Sequence, residues 1–98
     1  MYTILWRYTV KPVAVADFER HYNEAGSWVE IFRTAPGYVK TQLYRDANDP
    51  HVFLTLDYWQ SEVAFNAFDA AGNAAYQALD KICAAFTTHE ERLGAFDS

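Results

Sequence analysis

The apolar residues at the start of the chain change from strand spacing to helical spacing at a proline. Residues 2–10, YTILWRYTV, are dense in β-branched and aromatic side chains, which favours a β-strand. Pro12 ends this strand because proline cannot donate a hydrogen bond to a neighbouring strand. Residues 13–26 then predict an amphipathic helix with one apolar stripe. That stripe consists of Val15, Phe18 and Tyr22.

A glycine and a proline-glycine pair divide the next segment. Gly26 weakens the first helix, and Ser27 is a suitable N-cap for a second, short helix over residues 28–35. The Pro36-Gly37 pair closes that helix. The sequence therefore predicts a first helical region that is broken into two pieces.

Two strands and a turn follow. Residues 37–46 and 51–60 have strand composition, and residues 47–50, ANDP, are turn formers, so an antiparallel hairpin is expected. Ser61 is a suitable N-cap for the helix that begins EVAFNAF.

The last part of the chain predicts a longer helix over residues 73–86, where apolar side chains repeat at helical spacing. Its stripe consists of Tyr76, Leu79, Cys83 and Phe86. Residues 88–96 alternate only weakly, and we interpret them as a closing edge strand.

The resulting order, β-α-β-β-α-β, is typical of the ferredoxin-like split-βαβ arrangement. This is an α+β fold in which a four-stranded antiparallel sheet carries helices on one face. The first and third predicted strands carry large side chains on both faces, so the open face of the sheet needs a cover. Packing of two sheets in a symmetric homodimer is the simplest cover.

Composition and charge narrow the class of protein. With 98 residues, of which 51% are hydrophobic and 17% aromatic, we expect a single domain over residues 1–98. A net charge of −5 and the lack of a Lys/Arg stripe argue against nucleic-acid and anionic-membrane partners. No apolar run approaches the roughly 20 residues that span a bilayer, and no signal peptide is recognisable, so a cytoplasmic protein is expected.

Motifs for cofactors are missing from the sequence. It has no phosphate-binding glycine motif, no nucleophile elbow and no clustered metal ligands, so neither a cofactor nor a metal is expected. Cys83 is the single cysteine, which excludes an intrachain disulfide and favours a buried apolar role.

Residues 35–68, APGYVKTQLYRDANDPHVFLTLDYWQSEVAFNAF, carry a family resemblance together with YTVKP near the start. The motifs are a Pro-Gly pair before the second strand, LYRDANDP at the hairpin, and YWQSEVAFNAF where a strand passes into a capped helix. In their order and spacing the chain resembles the antibiotic biosynthesis monooxygenase family of the dimeric α+β barrel superfamily. The resemblance implies a homodimeric barrel with one cavity per subunit, between the sheet and the helices.

The resemblance also implies a function. Family members include cofactor-free oxygenases that act on polycyclic phenols and quinols, haem-degrading enzymes, and proteins without known activity. We expect a cofactor-independent monooxygenase that acts on or binds a small flat aromatic molecule of the phenol or quinol type. Two alternatives stay open: a non-catalytic ligand-binding or stress-related homodimer, and a cofactor-free isomerase or cyclase. The sequence leaves open whether the chain is an enzyme at all.

Haem degradation is not expected. The haem-degrading subgroup has an Asn in the first strand, a Trp in the helix after the hairpin and a His further along. The matching positions of this chain hold Trp6, Phe68 and Ala78.

The cofactor-free chemistry needs an apolar cavity, a group that favours deprotonation of the substrate, and room for dioxygen. The candidate catalytic residues are His21, Tyr22 and Asn66. The candidate substrate-binding residues are Trp6, Tyr8, Trp28, Tyr58, Phe68 and Tyr76.

Two of these assignments depend on geometry. Strand alternation sends Tyr58 and Trp59 to opposite faces of the sheet, and we assign Tyr58 to the cavity and Trp59 to a structural role. His21 has two interpretations. It is either the partner of Asp17, one helical turn earlier, or a base that reaches the cavity beside Tyr22.

Overall fold

The structure, a computed structural model that describes residues 1–98, has the element order that the sequence predicts. Its strands are β1 (Tyr2–Val10), β2 (Tyr38–Arg45), β3 (Val52–Trp59) and β4 (Thr87–Asp97). Its helices are α1 (Val15–Tyr22), α2 (Ser27–Phe32), α3 (Glu62–Ala71) and α4 (Ala74–Cys83). Short 3-10 turns at Pro12–Ala14 and Ala84–Phe86 lead into α1 and β4.

The four strands form one antiparallel sheet in the order β2-β3-β1-β4. Its helix-facing side presents alternate residues of each strand, and these pair across the sheet, for example Tyr2 with Trp59 and Tyr8 with Phe53. The predicted α+β, ferredoxin-like fold is therefore confirmed.

β4 is less regular than its neighbours. Leu5 pairs with Gly94 and Trp6 pairs with Arg92, so that Leu93 is skipped. A second shift lies between Thr9 and Val10. Such bulges increase the local twist of an edge strand.

The core between the sheet and the helices is mainly aromatic. Phe18 is fully buried and Trp59 is 1% exposed. The ring centroid of Trp59 lies 5.4–6.0 Å from those of four neighbours, which are Phe32, Tyr38, Phe65 and Phe68. Cys83 is also buried, as the sequence predicts. Edge-to-face contacts of this kind stabilise a core beyond the apolar area that they bury.

The helical break at Gly26 follows from a close approach of two backbone segments. A Cβ atom at this position would lie 2.6 Å from the carbonyl oxygen of His21, so only glycine fits where the chain folds back on the end of α1. α2 then begins at Ser27 itself, and Gly26 occupies the cap position without a side-chain hydrogen bond. The prediction that Ser27 caps this helix is wrong, because its hydroxyl contacts His21 instead.

The other predicted cap is confirmed. The Ser61 hydroxyl oxygen accepts a hydrogen bond from the backbone N–H of Ala64 at 3.1 Å, at the start of α3. This cap secures the helix that lies over the outer part of the cavity described below.

The outer sheet face, which faces away from the helices, is apolar near its centre. Leu5, Leu54, Leu56 and Tyr58 lie there and are only partly exposed. An ion pair between Arg7 and Glu91, with 3.1 Å between Nη2 and Oε2, lies towards one end. In the same structure, no helix has both the length and the apolar character that a membrane crossing requires.

Candidate active-site cavity

Two adjoining cavities, the inner and outer parts of one candidate site, lie between the helix-facing side of the sheet and the helices. The inner part has a volume of about 80 Å³ and the outer part about 450 Å³. Both parts are lined by Trp6, Phe32, Asp57 and Tyr76. Their shared walls make them one candidate site, whose larger part lies beside α3.

Aromatic rings in mutual contact form the walls of the inner part. Ring centroids are 6.3 Å apart for Trp6 and Tyr8, 5.0 Å for Tyr8 and Tyr22, and 5.9 Å for Tyr22 and Trp28. Trp28 in turn meets the ring of Tyr76 edge-on at 4.9 Å. A cavity with such walls favours a flat apolar ligand.

Asp57 is the one carboxylate that lines both parts of the cavity. It stands on β3 opposite Ile4 of β1, on the side of the sheet that the helices cover. Burial raises the pKa of its carboxyl group to about 6, although a hydrogen bond from the Thr41 hydroxyl opposes the shift. A carboxylate with this pKa, inside an aromatic cavity, is suited to accept a proton near neutral pH.

The tyrosines of the cavity are proton donors only. Burial is the largest cause of a raised pKa for Tyr8, Tyr22 and Tyr76, and nearby acidic or phenolic groups add to each shift. Their hydroxyl groups therefore stay protonated at neutral pH and cannot act as bases. Tyr22 remains a candidate for binding, through its O–H group.

Acidic side chains outnumber basic ones around the cavity. The carboxylates are Asp57, Glu62, Asp69, Asp80 and Glu90, and the single basic side chain is Arg92. Desolvation and the charge of Asp80 raise the pKa of Glu90, which is exposed at the rim. No group of three or more His, Cys, Asp or Glu side chains is placed to hold a metal ion.

Most of the residues that the sequence singles out lie around this cavity. Trp6, Tyr8, Tyr22, Trp28 and Tyr76 line its inner part. Asn66 and Phe68 line its outer part, together with Trp6 and Tyr76. Their chemical roles remain predictions.

His21 lies outside the cavity. Its Nδ1 atom is 2.7 Å from the Ser27 hydroxyl oxygen, and its ring stacks on Phe86 with centroids 5.7 Å apart. Its expected partner, Asp17, pairs with Arg20 instead. The predicted pair with Asp17 is therefore wrong, and the His21 ring contacts the Ser27 hydroxyl, which the fold-back at Gly26 brings close, rather than the cavity.

Tyr58 is the second candidate site residue that lies outside the cavity. It lies on the outer sheet face, where its hydroxyl donates to Gln42 Oε1 at 2.8 Å and Lys40 Nζ stands 5.1 Å from its ring centroid. The predicted alternation is confirmed, since Trp59 lies on the opposite face. The assignment of Tyr58 to the cavity is wrong, because Trp59, which pairs with the helix-facing Tyr2, is the member of the pair that lies under the helices.

Asp57 and Thr41 are the functional candidates that the sequence analysis missed. The sequence contains a signal for Asp57, since residues two apart on a strand share a face and Asp57 lies two residues before Trp59. Placing Trp59 under the helices would have placed Asp57 there as well.

A separate surface groove of about 520 Å³ lies between the α2–β2 connection and α3. Its walls are small residues such as Ala64, Ala67 and Ala71, and no charged side chain lines it. It offers no group for acid–base chemistry, so the aromatic cavity is the stronger candidate.

The fold and an aromatic cavity between the sheet and the helices define a class of small ferredoxin-like α+β proteins, and comparisons with known proteins identify the family. The family model described as antibiotic biosynthesis monooxygenase matches residues 1–79. The chain belongs to this family. None of the curated proteins matches it at a significant level.

Solved structures share the fold. A mutant of SnoaB, a cofactor-independent oxygenase from Streptomyces nogalater, superposes with a TM-score of 0.81 and 24% identity, over 99% of this chain and 91% of that one. A conserved protein from Methanosarcina mazei gives 0.79 and 14%, with the same coverage. PA3566 from Pseudomonas aeruginosa gives 0.74 and 16%, over 99% and 92%.

Proposed function

We propose that this protein is a cofactor-independent monooxygenase that oxidises a small flat aromatic molecule of the phenol or quinol type. The observation that carries the proposal is the Asp57 carboxylate, held in an aromatic cavity with its pKa raised to about 6. Family membership and the shared fold with a cofactor-independent oxygenase support the reaction type.

The chemistry follows from the substrate rather than from a cofactor. For an anthrone-type substrate, Asp57 accepts a proton from the ring CH₂ group and leaves an electron-rich anion. The anion transfers electrons to dioxygen and forms a carbon–oxygen bond, which gives a peroxide. The peroxide takes the proton back from Asp57 and loses water, so that CH₂ and O₂ become C=O and H₂O.

The aromatic walls bind and orient the ring. The outer part, at about 450 Å³, has room for the ring system, and Trp6 and Tyr76 line both parts. Tyr8, Trp28 and Tyr22 line the inner part, which has only about 80 Å³, and there the Tyr22 hydroxyl can donate to a substrate oxygen. Asn66 and Phe68 contact the substrate in the outer part.

The proposal includes a homodimer in the cytoplasm. The apolar centre of the outer sheet face would be covered by the same face of a second copy. Leu5, Leu54 and Leu56 would lie in that interface.

Oxygen uptake tests the function. With a panel of anthrone- and hydroquinone-type compounds, we expect uptake with at least one compound, and a loss of about 100-fold or more in Asp57→Asn. Tyr58→Phe, on the outer sheet face, is the matched control and should keep the wild-type rate.

Two outcomes would reject the proposal. Oxygen uptake at the wild-type rate in Asp57→Asn would show that Asp57 is not the base. Binding of panel compounds without any uptake would favour the non-catalytic ligand-binding alternative.

A further inference from the structure

Two hydroxyl groups form a hydrogen-bonded chain that ends on Asp57. The Thr41 hydroxyl donates to Asp57 Oδ1 with 2.7 Å between the oxygens. The Tyr38 and Thr41 hydroxyl oxygens are 2.8 Å apart. Thr41 is only 6% exposed and lines the inner part of the cavity beside Asp57.

The chemistry of the three groups sets the direction of the chain. An ionised carboxylate can only accept hydrogen bonds, and the Thr41 hydroxyl has a single proton, which it gives to Asp57. Thr41 must therefore accept from Tyr38, whose hydroxyl stays protonated because burial raises its pKa. Tyr38 thus holds the Thr41 hydroxyl in the orientation that serves Asp57.

Packing in the core fixes the far end of the chain. The Tyr38 ring contacts Phe32 and Trp59, with centroids 5.7 Å and 5.4 Å away. Side chains held this firmly lose little further freedom when their hydroxyl groups make hydrogen bonds. Asp57 Oδ1 is therefore anchored to the core through β2.

The hydrogen-bonded chain from Tyr38 through Thr41 has two consequences for the Asp57 carboxylate. It occupies Oδ1 and leaves the other oxygen without a protein partner. It also stabilises the ionised form, against the burial that disfavours it. Both effects favour a base that is oriented and ready to accept a proton.

We propose that Thr41 and Tyr38 are positioning residues, which orient the Asp57 carboxylate and keep it ionised for proton abstraction; this inference rests on the proposed function. Thr41 acts directly on Asp57, and Tyr38 acts through Thr41. Neither residue needs to touch the substrate for this role.

Three variants separate positioning from packing. Thr41→Val keeps the shape and β-branching of the side chain but removes the hydroxyl, Thr41→Ser keeps the hydroxyl, and Tyr38→Phe removes only the second bond. Circular dichroism confirms folding, and if Thr41→Val fails to fold, an unchanged Asp57 pKa in Tyr38→Phe overturns the positioning role.

The first measurement needs no substrate. The pKa of Asp57 is read from the ¹³C shift of its carboxyl carbon as pH is varied. We expect a rise of about one unit in Thr41→Val, because a charge-assisted hydrogen bond is lost. The rise should be smaller in Tyr38→Phe, and Thr41→Ser should match the wild type.

Other titratable or charged groups surround Asp57, and they must not be mistaken for it. They are Tyr8, Tyr22, Tyr38, Glu62, Asp69, Tyr76, Asp80, Glu90 and Arg92. Comparison with Asp57→Asn, which lacks the titrating carboxyl, assigns the signal to Asp57.

The second measurement is the pH profile of oxygen uptake. In Thr41→Val the rising limb should move to higher pH by the same shift as the carboxyl titration, with about a 10-fold loss of rate at pH 5. Thr41→Ser should restore the rate to within about 2-fold of the wild type.

The outcomes distinguish this inference from the proposed function. An unchanged Asp57 pKa in Thr41→Val, or equal losses in Thr41→Val and Thr41→Ser, would overturn the positioning role. Full activity of Asp57→Asn would overturn the proposed function instead. If no compound is oxidised, the carboxyl titration alone decides whether Thr41 and Tyr38 tune Asp57.

Discussion

The two faces of the sheet differ in a way that runs against simple hydrophobic patterning. On β3, the helix-facing side carries Thr55 and Asp57, and the outer sheet face carries Leu54 and Leu56. In the middle of β3 the outer sheet face is thus the more uniformly apolar side, although the helix-facing side of the whole sheet carries the aromatic core. The polar residues on the helix-facing side line the cavity, whereas the apolar residues on the outer sheet face belong to the proposed dimer interface.

The largest expected effect concerns Tyr58 and Trp59, which are adjacent in the chain and lie on opposite faces of the sheet. Trp59→Ala should lower the free energy of unfolding by about 3–5 kcal/mol, because Trp59 is 1% exposed and meets four aromatic rings. Tyr58→Ala, on the outer sheet face, should cost about 1 kcal/mol. Urea unfolding measures both, and equal costs would contradict the difference between the two faces.

A charge on the outer sheet face should separate the subunits. Leu56→Glu would place a carboxylate in the proposed dimer interface, so we expect a dimer to become a monomer at micromolar concentration. Light scattering measures the mass, and Val63→Glu, at a site that is 77% exposed on α3, is the control. A wild-type monomer, or a Leu56→Glu dimer, would show that the apolar face has another role.

A smaller effect concerns Asp57, on the helix-facing side of the sheet. The pKa of Asp57 is raised from its ordinary value of 3.8 to about 6, so its contribution to stability is full below pH 3.8 and is lost as pH rises through 6. The free energy of unfolding should fall by roughly 1–3 kcal/mol over this range on account of Asp57.

Asp57→Asn should remove this step from the pH dependence of urea unfolding, and Asp69→Asn, at an exposed carboxylate of the outer part, should leave it in place. A step that persists in Asp57→Asn would assign it to a different group.

The fold could be predicted because each of its signals is local. Pro12 ends β1, Gly26 breaks the first helical region, and Ser61 caps α3, each through the chemistry of one residue and its neighbours. Alternation along β3 also held. Local patterns of this kind do not need the partner strand to be known.

The site could be predicted only in part, since it depends on which strand face the helices cover. Register with β1 decides that question for Asp57, because Asp57 stands opposite the helix-facing Ile4. The contact between His21 and Ser27 likewise requires the fold-back at Gly26, which brings residues six apart within 2.7 Å. Tertiary geometry, rather than propensity, determined both results.

The irregular strand β4 bears on how the molecule avoids its own aggregation. As an edge strand it exposes backbone groups to which another chain could add. Its two register shifts, one of which skips Leu93, bend the strand, and Glu90, Glu91 and Arg92 place charges along it. The bend and the charges of β4 therefore make this edge a poor template for the addition of another strand.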